Sequence, residues 1–409
     1  MTADERTHDL VVYGASGFVG RLLAAHLAEH APTATRIALA GRSRERVAAV
    51  RDGLPGAARE WPVLAADSDD PASLAALAAQ TRVLVTTVGP YLRYGLPVVE
   101  ACARAGTHYA DLSGEVLFVR EAIDRCDTVA RETGARIVHA CGYDSVPSDL
   151  ATMLLADRAA ADGAGGLTDV RLVATARGGF SGGTIDSARA QAEAVGRDRT
   201  LRRVLADPFA LSPDRAAEPG TRQPRDAAPP ARTPDGRWTA PFVMAPFNTR
   251  VVRRSNALQG WRYGRSLSYG EVMGAGRGPQ GAATAVGVTA ALAGVFGAMS
   301  FPPTRAVLDR LLPAPGSGPS AAVREKGWFR SVVDAGTEDG RRYRATAAGR
   351  GDPGYAATAV MLGETALALA LDGDRLPDRA GSLTPATALG DVLVERLRAA
   401  GHTYEVQPA

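Results

Sequence analysis

The sequence predicts an α/β protein. An N-terminal doubly wound parallel sheet over residues 1–150 is followed by an inserted α+β domain over 151–350, and C-terminal helices over 351–409 return to the first sheet. Three observations predict this. An apolar run, Leu10-Val11-Val12-Tyr13, collapses into glycines at positions 14, 17 and 20 just before the amphipathic run from Phe18 to Leu23. Strand and helix signals then alternate to about residue 145. From Leu167 the pattern turns β-rich, and helical patterns come back after Gly354.

The first element, LVVYGASGFVG from Leu10 to Gly20, reads as a strand, a tight turn and a helix start. Gly14 leaves the strand with backbone angles a side chain would forbid, Gly17 lets a pyrophosphate approach the helix N-terminus, and Gly20 lets helix and strand pack closely. Free N–H groups and the helix dipole then stabilise phosphate. This is the context of a Rossmann dinucleotide site, with Gly14, Ala15, Ser16, Gly17, Phe18, Val19 and Gly20 as its first contacts. The second strand, Arg36 to Ala40, ends in Gly41-Arg42-Ser43 and lacks the Asp or Glu that would hold a ribose 2′-hydroxyl. Arg42 can pair with a 2′-phosphate and Ser43 can donate to it, so NADP(H) is expected over NAD(H).

Strands follow at Val63–Ala66, before Asp67, and at Val83–Val88, Tyr109–Leu112 and Arg136–Ala140. Helices at Pro71–Gln80, Val98–Ala105 and Val116–Glu132 separate them. Ligands of open α/β sheets bind at the carboxyl edge, which adds Asp67, Val88, Gly89 and Pro90 to the cofactor set.

Composition excludes several functions. The 409 residues are 45% hydrophobic, enough for packed cores, and a net charge of +3 with dispersed basic residues gives no footprint for nucleic acid. Three cysteines without a Cys-x-x-Cys pair, and no secretory apolar segment at the start, suit a cytoplasmic protein with no disulfide framework and no metal site. Lys326 is the only lysine. The Tyr-x-x-x-Lys pair of short-chain reductases is absent because Ala322 stands four residues before it, and Arg21 occupies the place where a Walker loop needs lysine.

In the second domain, Asp169–Ala176, Arg250–Asn256, Arg262–Met273, Trp328–Gly336 and Arg341–Gly349 read as strands of an antiparallel sheet. Ser212 to Trp238, dense in Pro, Arg and Asp, reads as a loop or mobile lid with mostly solvated charges. Gly281 to Phe301 carries no charge. Three readings stay open for it: a buried or interfacial helix, a wall for an apolar substrate or membrane contact, and a membrane span of marginal insertion energy. Gly354–Leu371 and Ala386–Ala399 read as the returning helices, with Thr384-Pro385 starting the second.

Several side chains could do chemistry. Tyr143, at a strand end in Cys141-Gly142-Tyr143-Asp144-Ser145-Val146-Pro147, could supply a proton to accompany hydride transfer, with Tyr91 as its rival and a bound water as a third source. Asp144 divides between catalysis and capping the following helix. His108, Asp111, Ser113 and Glu115 read as a hydrogen-bonded turn that could also tune a proton donor, and His139 as a core histidine. Ser181-Gly182-Gly183-Thr184 reads as a glycine turn whose N–H groups, with Thr184 or Ser187, could grip a substrate carbonyl.

Taken in order, GASGFVG, AGRS, VTTVGPYLRYGLPVVEACARAGTHYADLSGE, CGYDSVPSDL, GGFSGGTIDSA, GRGDPGYAATAVMLGETAL and LTPATALGDVLVERLRAAG resemble the saccharopine-dehydrogenase-like oxidoreductases, and among them the actinobacterial trans-acting enoyl reductases. The resemblance spans almost the whole chain and is weakest from Ser212 to Trp238. It implies an NADP(H)-binding Rossmann domain completed by C-terminal elements, with an inserted domain over the nicotinamide. It also implies reduction of α,β-unsaturated acyl thioesters, held on a polyketide synthase or carrier protein, in complex-lipid biosynthesis. A saccharopine-type dehydrogenase acting on the C–N bonds of amino-acid imines is the alternative. It needs cations for its substrate's carboxylates, and beyond Arg42 and Arg93 no arginine cluster stands near the motif loops. A non-catalytic, lipid-associated NADP-binding protein is a third reading, carried by the uncharged segment. Peripheral membrane contact and a homodimer are both allowed for.

Overall fold

The computed structural model describes residues 6–178, 182–299, 304 and 318–409, which build two seven-stranded sheets. The first contains β1 (His8–Tyr13), β2 (Ile37–Gly41), β3 (Val63–Ala65), β4 (Thr81–Thr86), β5 (His108–Ala110), β6 (Arg136–Val138) and β13 (Gly381–Leu383). Its order is β13-β6-β5-β4-β1-β2-β3, and every pairing is parallel. Val12 lies between Leu39 and Val85, all three wholly buried, because a parallel sheet covered on both faces needs apolar residues in every direction.

The crossover helices are α1 (Phe18–His30), α2 (Arg44–Asp52), α3 (Pro71–Ala79), α4 (Tyr91–Ala105) and α5 (Val116–Thr133). Their ends are written locally. The Ser43 hydroxyl accepts from the Arg46 N–H at 3.3 Å and Asp70 accepts from the Ala72 N–H at 3.0 Å, while Gly106 and Gly134 close α4 and α5 in the left-handed conformation. All strand carboxyl ends therefore meet at one edge.

The second sheet holds β7 (Leu167–Arg177), β8 (Ala231–Arg232), β9 (Arg237–Pro241), β10 (Ser268–Arg277), β11 (Trp328–Thr337), β12 (Arg342–Arg350) and β14 (Thr403–Pro408), in the order β14-β12-β11-β7-β10-β9-β8. It is antiparallel except where β7 pairs with β10. Phe329, Ser331, Val333 and Ala335 alternate inward along β11, on the face that receives α6 (Val146–Ala161). The chain continues through α7 (Gly182–Arg197), α8 (Leu201–Ala206), α9 (Ala245–Leu258), α10 (Gly278–Met299), α11 (Ala321–Glu325), α12 (Ala356–Leu371) and α13 (Pro385–Ala399).

Four sequence expectations are corrected. Arg250–Asn256 is the middle of helix α9, not a strand. Its periodicity misleads because arginines occupy buried positions. Arg250 donates to the carbonyls of Leu205 (2.7 Å) and Asp207 (3.1 Å), Arg253 to that of Tyr269 (2.8 Å), and Arg254 to those of Leu211 and Ser382 (both 2.5 Å). Second, the strand expected from Arg262 starts later, at Ser268.

Third, the stretch from Ser212 to Trp238 is irregular only up to β8, since β8 and the start of β9 lie inside it, and some of its charges are held within the fold. Asp226 holds Arg250 at 2.8 Å, and Glu218 accepts from the Trp261 indole at 3.2 Å. Fourth, the C-terminal segment returns more than helices. β13 extends the first sheet and β14 the second, so both sheets depend on the chain from Gly381 onward. Asp149 of α6 fastens this return by accepting from the Ser255 hydroxyl (2.5 Å) and from the Ala386 N–H at the start of α13 (2.8 Å).

The uncharged segment forms α10, whose N-terminal part packs on β9 and β10. Only Gly281, Ala285 and Met299 are buried, so a buried helix is not what forms, and Phe301 lies outside the described residues.

Candidate active site

The carboxyl edge of the first sheet opens into a cleft of about 650 Å³. One end is lined by Gly14, Ser16, Gly17, Phe18 and Val19 of the glycine turn, by Arg42 after β2 and by Asp67, Ser68 and Asp69 after β3. Thr87, Val88 and Gly89 line its middle. Leu112, Gly114 and Asp144, from the ends of β5 and β6, form the floor of the other end. Residues of α7, Met244 and Phe247, Phe296 of α10, and Tyr355 and Thr358 complete the lining.

Gly14 and Gly20 take the conformation and the close packing that the sequence suggests. Gly14 has φ +89°, and a Cβ there would stand 2.7 Å from Val88 Cγ2. At Gly20 a Cβ would fall 2.2 Å from the Gly14 carbonyl oxygen, so only glycine allows α1 to sit this close to the turn. α1 starts with neither a side-chain cap nor an acidic residue in its first turn, which leaves its leading N–H groups and positive dipole end for an anion. Arg42 is exposed, with no carboxylate partner among the described residues. This donor set fits a dinucleotide bearing a 2′-phosphate.

Not every expected contact reaches the cleft. Ala15 and Gly20 are buried beneath the turn. Ser43 lies outside the lining and caps α2, and Pro90, joined to Gly89 by a cis peptide bond, starts α4. Ser68, Asp69, Thr87, Gly114, Tyr355 and Thr358 line the cleft without having been singled out. Tyr355 meets the Phe18 ring edge-on at 4.7 Å, a contact no local pattern could reveal.

The family that describes the saccharopine dehydrogenase NADP binding domain matches residues 10–138. Over 413 residues, 98% of each chain, the sequence is 52% identical to a Mycobacterium tuberculosis protein provisionally named trans-acting enoyl reductase. It is 47% identical over 415 residues, again 98% of each chain, to the trans-acting enoyl reductase of Mycobacterium ulcerans. The chain belongs to the trans-acting enoyl reductase family. Saccharopine dehydrogenase (L-Glu forming) from Saccharomyces cerevisiae shares the fold at 13% identity, with a TM-score of 0.55 over 98% of this chain and 99% of that one. This trans-acting enoyl reductase family member is an NADP-dependent oxidoreductase of saccharopine-dehydrogenase-like architecture.

Within this family member the two tyrosines are tied to the scaffold. The Tyr91 hydroxyl donates to the Thr86 carbonyl and accepts from the Leu112 N–H, both at 3.1 Å. Burial, with Asp111 nearby, pushes its pKa well up. Tyr143 does not line the cleft: its ring packs edge-on against Phe329 of the second sheet at 5.2 Å, and burial raises its pKa too. Asp144 does line it, no described residue donates a hydrogen bond to its carboxyl group, and burial pushes its pKa up to about 6. Ser145, not Asp144, is the residue before α6.

The polar turn is a brace. Asp111 accepts from Tyr109, Ser113, the Ala140 N–H and His139, whose Nδ1 is 2.7 Å away. Glu115, fully buried, accepts from the N–H groups of Tyr91 (2.9 Å) and Leu92 (2.7 Å) and from the Ser187 hydroxyl (2.6 Å), so one carboxylate holds α4 and α7 together. His108 instead accepts from the Arg136 N–H at 3.1 Å. Ser181 and the side chain of Thr184 lie outside the described residues.

Proposed function

We propose that this protein reduces the α,β double bond of an acyl thioester presented by the carrier domain of a polyketide synthase, with Asp144 as the proton donor. The observation that carries the reading is the lining of the cleft. Beyond Arg42, which stands at the nucleotide end, no cationic side chain lines it among the described residues. A dicarboxylic amino-acid imine would be left with unpaired charges there, while Leu112, Val116, Leu205, Met244, Phe247 and Phe296 suit an apolar acyl chain.

Gly14, Ser16, Gly17 and Arg42 would hold NADPH, which when bound would supply a hydride for the β-carbon. Asp144 gives its proton to the α-carbon, and its carboxylate regains one from water in the cleft. Glu115 holds the ends of α4 and α7 in place around the reacting group. The relatives' names support enoyl reduction by an enzyme that acts in trans.

In this reading the enzyme works in the cytoplasm, where the exposed apolar α10, with Phe296 at the mouth of the cleft, would touch a membrane surface from which lipid intermediates come. The deciding experiment offers NADPH, a carrier-linked 2-enoyl thioester and, separately, an amino-acid imine mixture. Turnover on the thioester alone is expected; turnover on the imine alone would overturn the reading.

A further inference from the structure

Arg197, Arg199, Arg202 and Arg203 fall close together at the end of α7, in the turn after it and in α8, and all four are exposed. Elsewhere on the surface arginines are commonly paired, as Arg36 is with Asp9, Arg131 with Asp127, Arg158 with Asp162 and Arg344 with Asp334. Among the described residues none of the four has a carboxylate partner. The one acid among them, Asp198, is occupied by the N–H (2.8 Å) and the hydroxyl (2.6 Å) of Thr200. The dipoles of α7 and α8 account for Arg197 and Arg203, each in a last turn, but not for Arg199 or Arg202. Like charges left this close repel each other, and they gain from an external anion.

The position of the patch says which anion. Ala188 and Gln191 of α7 and Leu205 of α8 line the substrate end of the cleft, so the arginines crown its lip. That lip is fixed, through Ser187 on Glu115 and through an ion pair of 2.7 Å between Arg93 of α4 and Glu193 of α7. We propose that this patch docks the acidic face of a carrier domain, aiming its pantetheine arm past Leu205 and Gln191 into the cleft. The inference rests on the enoyl-thioester reading and adds a surface to it. A free thioester needs only the cleft; a carrier-linked one must also seat its protein, and complementary charge steers that encounter.

The test uses the full chain and an R199E/R202E variant with two substrates that bear the same 2-enoyl group, one on an acidic carrier domain and one on free pantetheine. Carrier-domain binding is measured directly as well, at several salt concentrations, so that the surface is judged even without turnover. The expected result is a fall of at least about tenfold in kcat/KM and in affinity for the carrier-linked substrate, with a flatter salt dependence. Turnover of the pantetheine thioester and NADPH affinity should not change. Equal losses on both substrates, or no loss on either, would overturn the proposal. So would tighter, Arg199-dependent binding to phosphatidylglycerol vesicles than to the carrier domain, which would assign the patch to a membrane. Failure of the wild type to reduce either thioester, with salt-sensitive carrier binding intact, would count against the enoyl reading and not against the surface.

Discussion

Replacing Asp144 by asparagine separates its chemistry from its burden on the fold. In the native protein, burial moves this carboxyl from an ordinary 3.8 to about 6. An acid raised in the folded state keeps its proton longer than in the unfolded chain, so the folded form loses stability as pH rises from about 4 to about 6, and the loss persists above that. A shift of roughly 2 units is worth about 3 kcal/mol, reduced to about 2 by the water of the cleft onto which the group opens. The amide of the D144N variant carries no charge, so that protein should be more stable than the parent by about 2 kcal/mol at neutral pH and equal to it near about pH 4. Its catalysis should move the opposite way. If the protonated acid is the donor, the native kcat/KM falls about tenfold for each pH unit above about 6, and D144N loses both that slope and about 10²–10⁴ of the rate. The assays are urea midpoints and NADPH oxidation with an enoyl thioester across pH, with NADPH binding as the control for folding. A variant with the native pH profile, or one less stable than the parent, would refute the reasoning.

Arg42→Glu should weaken NADPH binding by about 2–4 kcal/mol through a lost phosphate pairing and added repulsion, while NADH binding changes little; fluorescence titration of both nucleotides checks it. Gly20→Ala places a Cβ against the Gly14 carbonyl oxygen, 2.2 Å away, and should destabilise the fold by about 1–3 kcal/mol while loosening the dinucleotide turn, as read by urea midpoint and NADPH affinity. Asp149→Ala leaves the Ala386 N–H without its acceptor and should cost about 1–3 kcal/mol. Because burial also raises the Asp149 pKa to about 6, that cost should be larger at about pH 5 than at about pH 8, and denaturation at both pH values tests the sign.

The sequence by itself determined the parts whose physics is local. The turn at Gly14, Gly17 and Gly20, the missing carboxylate after β2 and the alternation of strands and helices to residue 145 each follow from backbone freedom, charge or periodicity within a few residues. The tertiary structure decided whatever depends on partners far along the chain. Helix α9 resembles a strand in sequence because its arginines are satisfied by carbonyls from three other segments, and no window around Arg250 contains them. Tyr91 and Tyr143 read in sequence as standing by strand ends, as a donor should, yet one hydroxyl is held by Thr86 and Leu112 and the other ring packs on Phe329 of the second sheet. Asp144 reads in sequence as a cap or an acid with equal right. Only the tertiary structure places the carboxyl in the cleft without supplying a donor, and a carboxyl so placed keeps its proton up to about pH 6.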